Sequence, residues 1–178
     1  MKIPRLLVFL AGLAGVVAFF MPLIQFDAEV EGKKLRAEIS AFRMVSGITS
    51  IRDVVKGDYQ VSAEEDKKFV TERSEDVDKS RVIYMVAFAP GILLLLAAIA
   101  GRLGRGKATI ALIAGLLGVG IWLLLKAGFE KALSENKTGV AFEAGLALTL
   151  LMVVGIAGSV GGLLGLISPE RKPDAPGA

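Results

Sequence analysis

The chain has 178 residues, is 53% hydrophobic and carries a formal net charge of +3. It contains no Cys and no His, which excludes a disulfide framework, a thiolate nucleophile and most zinc-binding or hydrolytic sites. A charge this small and this dispersed also gives no footprint for nucleic acid.

Four stretches carry no charge at all: 6–26, 82–100, 108–125 and 144–167. Nineteen helical residues reach roughly 28 Å, close to the hydrocarbon thickness of a bilayer. A single charge at mid-span costs about 2.5–3.5 kcal/mol, so four clean runs predict four transmembrane helices. Apolar and polar residues do not alternate within the runs, which excludes a membrane barrel. The expected fold is therefore an all-α membrane protein. It is a single four-span domain over 1–178 with an extracytoplasmic insertion over 27–81, read as a β-hairpin plus helix between the first two spans.

Lys2 and Arg5 precede the first run. Such a start also describes a secretory signal peptide, but the apolar part is longer than the usual 7–15 residues. It ends in Phe19-Phe20-Met21-Pro22 instead of a small-residue cleavage site, so a retained helix is expected. Ala11 and Gly15 place small residues one turn apart on this helix.

The insertion holds 11 basic and 13 acidic residues. Phe26, Ala28 and Val30 alternate with Asp27, Glu29 and Glu31, and the alternation resumes after Gly32-Lys33 with Leu35, Ala37, Ile39 and Ala41. This pattern predicts a β-hairpin with one apolar face. Ser50 would cap a short helical turn through 51–56, ended by Gly57. Ser62-Ala-Glu-Glu65 reads as a capping box, opening a helix that runs into the second span with a break near 74–80. Glu72, Glu75, Asp76 and Asp78 match no calcium-loop spacing and are read as a solvated helix face.

Pro90-Gly91 falls in the middle of the second run and predicts a kink. Arg102, Arg105 and Lys107 fill the next link, and Arg171 and Lys172 follow the fourth run. The positive-inside rule then places both termini in the cytoplasm, and 27–81 and 126–143 outside, in a plasma (inner) membrane. Tyr84 and Trp122 fall near the outer ends of their helices as interfacial anchors. Asn136-Lys-Thr138 is a formal glycosylation sequon on the same side. Glu143, just before the fourth run, is a candidate interfacial acid.

The fourth run is rich in glycine. Gly155, Gly158, Gly161, Gly162 and Gly165 form faces suited to close helix packing, within the bundle or against a partner. The layout, with termini inside and a long first outer loop, resembles claudin-type four-span proteins in topology only. This loop lacks the Trp cluster and Cys pair of the claudin signature, so the likeness implies no function.

No catalytic, cofactor-binding or metal-binding set emerges. The expected function is that of a non-enzymatic accessory or scaffolding subunit of a membrane complex. Its partners are the lipid bilayer and other membrane proteins or itself, met through the outer loop and the glycine faces. The alternative is a small transporter or channel subunit, with a path lined by hydroxyls and backbone at the Pro90-Gly91 kink.

Overall fold

A computed structural model describes residues 3–30, 33–46, 55–57, 74–100, 103–135 and 141–169. Four helices in it are long and apolar enough to cross a membrane. Helix α1 spans Ile3–Phe20, with Pro4 tolerated in the first turn because its missing N–H would be unpaired there anyway. At about 27 Å it is still long enough to cross a hydrocarbon layer.

The first span is shorter than its apolar run. Residues 22–26 are not helical: Pro22 opens strand β1, Pro22–Val30. Proline disfavours the helical region for the residue before it, so Met21 ends the helix. Hydropathy cannot distinguish an apolar strand from the last turn of an apolar helix.

Strand β2, Lys33–Ser40, pairs antiparallel with β1, placing Phe26 opposite Ala37 and Asp27 opposite Arg36. The expected hairpin is present, and it begins at Pro22, four residues before the alternation at Phe26. Asp27 and Arg36 approach to 4.0 Å across the strands, and Arg36 lies 3.4 Å from Glu38. The register shifts between Pro22 and Ile24, a bulge that accompanies the burial of Leu23 among bundle side chains.

Helix α2, Ala41–Ser46, follows directly. The Ser40 hydroxyl accepts a hydrogen bond from the Arg43 amide at 3.3 Å, an N-cap that turns the chain out of the sheet. Ala41, expected on the strand, instead opens this helix and is fully buried. Strand β3, Val55–Gly57, pairs antiparallel with residues 35–37 of β2. The expected helical turn through residue 56 is thus strand at its described end. β-Branched Val55 suits a ladder, and β2 offers a free edge for it. The expected capping box and the helix from residue 63 to 73 lie outside the described residues.

Helix α3, Ser74–Ile99, runs without a break through 74–80 and continues helically past Pro90. Helix α4, Arg105–Glu135, has 31 residues and a length of about 46 Å. It overshoots the hydrocarbon layer by some three turns. Strand β4, Ala141–Ala144, then pairs antiparallel with residues 24–27 of β1. Helix α5, Leu146–Ile167, closes the bundle. The sheet order is β3-β2-β1-β4, so both links on that side join one sheet. Helices α1 and α4 run toward the sheet, and α3 and α5 run away from it.

The packing is inverted relative to a soluble core. The buried apolar residues are dominated by alanine, including Ala11, Ala98, Ala108, Ala111, Ala114 and Ala147. The large side chains Leu10, Leu116, Leu124, Ile156 and Leu163 are exposed, Leu124 by 75%. An apolar exterior around a small-residue interior fits lipid, where close backbone approach, not apolar burial, holds helices together.

Candidate functional site

The glycines of α5 all face helices of the same chain. A Cβ on Gly155 would lie 2.6 Å from the Val119 amide nitrogen, and one on Gly158 2.7 Å from Leu94 Cδ1. On Gly161 it would meet Val8, on Gly162 the Leu112 backbone, and on Gly165 the side chains of Leu103 and Ala108. Ala11 is buried at 3% exposure, and Gly15 meets Gly91. Every one of these sequence-predicted residues is therefore engaged inside the bundle. Pro90 and Gly91 sit where three helices meet: Gly91 against Gly15 of α1, and Pro90 beside Gly118 of α4.

Sequence reasoning missed the partners of these glycines. Gly12 packs against the Leu95 backbone, and Gly115 against Gly158 and Ser159. The signal was present as three-residue spacings, Gly12 to Gly15 and Gly115 to Gly118, that continue the same small-residue logic. The Ser159 hydroxyl donates to the Gly155 carbonyl at 2.8 Å, so it is satisfied within its own helix.

The end of the bundle away from the sheet is closed by cations. Arg5 Nε donates to the Ala98 carbonyl at 2.9 Å, and Lys107 Nζ donates to the Ala100 carbonyl. Two neighbouring helices thus supply positive charge to the C-terminal end of α3, where carbonyls lack intrahelical partners.

The sheet end contains the relief suited to binding. Because α4 overshoots while the chain returns through β4, two clefts open beside its last turns. One, of about 380 Å³, has Trp122, Lys126 and Glu130 on its α4 wall. These positions are four residues apart and share one helix face. Its other wall carries Glu143 from β4 and Thr149 and Met152 from α5. The second, of about 270 Å³, is apolar and lies toward Leu23, Ile24 and Tyr84. Phe129 and Leu148 line both.

Within the larger cleft, Lys126 Nζ lies 3.7 Å from Glu130 Oε1 and 5.5 Å from the centroid of the Trp122 ring. Both charged side chains are about half exposed, so the pair contributes only a few tenths of a kcal/mol. Glu143 is exposed and sits on β4 opposite Gln25, two residues before the Gly145 N-cap of α5. The cleft can hold an amphiphile: charges of both signs lie toward its sheet end beside Phe129, Leu133 and Leu148, and Trp122 and Met152 line its depth. Among the described residues, no group of three His, Asp, Glu or Cys side chains is placed to hold a metal ion. The sequon and Glu72 lie outside the described residues, and Glu75, Asp76 and Asp78 fall in the first turns of α3.

No family model matches this chain, and no curated protein matches it.

Proposed function

We propose that this four-span membrane protein is a non-enzymatic accessory or scaffolding subunit that meets its partners at the sheet end of the bundle. The observation that carries this reading is the joining of β4 to β1. It ties both links on that side into one sheet, held on the helices by the Gly145 amide donating to the Leu23 carbonyl at 2.9 Å. The glycine faces are occupied within the chain, so recognition passes to this platform and to the exposed apolar exterior. Basic residues at the other end favour a plasma (inner) membrane with that end in the cytoplasm and the sheet outside.

A transporter or channel subunit would need a polar path between the helices. The described core offers it little support, since its buried side chains are apolar.

Purification of the intact protein in mild detergent, with mass determination by light scattering, tests the proposal. The expected result is a stable complex or a defined oligomer that is lost on charge reversal along β2, as in Arg36→Glu with Glu38→Lys. A strict monomer with nothing co-purifying overturns it.

A further inference from the structure

We propose that the cleft between α4, β4 and α5 binds one phospholipid with a primary ammonium headgroup, taken from the leaflet on the sheet side. The argument starts from the direction of its polarity. Along α4, Trp122, Lys126 and Glu130 succeed each other by about 6 Å per step toward the sheet end. Along α5, Leu148, Thr149 and Met152 descend in the opposite sense. Charge is thus confined to the mouth, and the depth is aromatic and aliphatic with one hydroxyl. A phospholipid has the same order: charged headgroup, polar ester region, hydrocarbon. The cleft volume of about 380 Å³ falls within the range of small-ligand sites and accommodates a headgroup with the first part of a chain.

The charges select the headgroup. Lys126 supplies one cation, and Glu130 and Glu143 supply two carboxylates. Lys126 is held by a half-exposed ion pair and a ring contact, both weak enough to yield to a phosphate diester. With Lys126 on the phosphate, the ammonium lies between the two carboxylates and donates to both. Glu143 has no ion pair among the described residues, and its backbone is fixed by pairing with Gln25. A glycerol headgroup brings negative charge beside two acids and nothing to neutralise Glu143. A choline headgroup keeps the positive charge but has no N–H to donate.

The protein carries its own reporter, because Trp122 is its only tryptophan. The full chain is reconstituted into bilayers of constant host lipid, with rising fractions of lipid brominated on the acyl chain. The brominated lipids differ only in headgroup: ethanolamine, choline or glycerol. The expected result is that the ethanolamine lipid quenches Trp122 emission with an apparent affinity about threefold above the other two, the scale of one exposed charge pair. Glu143→Gln should remove that preference while leaving the unquenched emission maximum unchanged, and Thr109→Val, at the other end of α4 and outside the cleft, should leave the preference intact. Equal quenching by all three headgroups would mean ordinary boundary lipid and overturn the proposal. So would a preference that survives Glu143→Gln combined with Glu130→Gln. Absence of quenching by any of the three would mean a cleft covered by protein, and would overturn it as well.

Discussion

Gly15 of α1 and Gly91 of α3 meet backbone to backbone: a Cβ on Gly15 would lie 2.7 Å from the Gly91 Cα, and one on Gly91 2.9 Å from the Gly15 Cα. Neither residue has room for a methyl group without parting the helices. Gly15→Ala or Gly91→Ala should therefore destabilise the protein by about 1–3 kcal/mol, through overpacking at a rigid crossing. Gly120 gives the contrast, since nothing lies within 4 Å of a Cβ built there. Gly120→Ala should be neutral or stabilising by up to about 1 kcal/mol, the usual gain on removing a glycine from a helix interior. Thermal unfolding in one detergent, followed by circular dichroism, separates the two classes. Equal effects at all three sites would show that the α1–α3 crossing is looser than described.

Arg5 illustrates a basic residue with a structural task beyond orientation. Its Nε caps the Ala98 carbonyl of α3 from a neighbouring helix. Arg5→Met should cost about 1–2 kcal/mol by removing a charged donor from a helix C-terminus. Arg5→Lys should recover part of that loss, because the charge remains while the hydrogen-bond geometry changes. The measured order of melting temperatures, wild type above Arg5→Lys above Arg5→Met, checks the cap. Identical melting of all three would remove it.

The β1–β4 pairing can be tested directly because the chain has no cysteine. Gln25 and Glu143 are register partners. The double variant Gln25→Cys with Glu143→Cys should form an intramolecular disulfide under mild oxidation, visible as a mobility shift on a non-reducing gel. The shifted pair Gln25→Cys with Ala141→Cys should oxidise much more slowly, since a two-residue slip moves the partners well beyond bridging distance. Gly145→Ala in the first pair should reduce its yield, because a Cβ there would run into the Pro22 backbone.

Orientation gives a fourth expectation. Arg36 on β2 is half exposed, and Gly104 between α3 and α4 has open space around it. An impermeant maleimide applied to intact cells should label Arg36→Cys and not Gly104→Cys, and permeabilisation should expose both. Labelling of Gly104→Cys alone would reverse the assignment of the two sides.

The four spans were legible because hydropathy adds residue by residue, and an uncharged run declares itself whatever its neighbours are. The hairpin was legible from the period-two alternation on either side of Gly32. Its start at Pro22 was not, since Leu23, Ile24 and Phe26 are as apolar as the helix before them. Strand β4 was invisible for another reason. Ala-Phe-Glu-Ala has too few residues for a periodicity, and only the exposed edge of β1 makes it a strand. Helix α2 and strand β3 were missed in the same way, one turning on a Ser40 cap and the other on a free edge of β2.

The glycine faces were visible as a spacing, but the spacing did not say what they meet. Gly155 and Gly158 on one helix, Gly115 and Gly118 on another, fit equally well against a second copy of the chain. Three-dimensional packing decided for the chain itself. The same holds for the cleft: Trp122, Lys126, Glu130 and Glu143 lie up to 21 residues apart in the sequence. They share a site only because α4 overshoots its span and β4 returns to β1. Composition determined that this chain has four segments long and apolar enough to cross a membrane, because transfer free energy is a sum over residues. Which surfaces close on one another and which remain open was decided by the tertiary structure, because steric fit and strand pairing belong to pairs of residues distant in the chain.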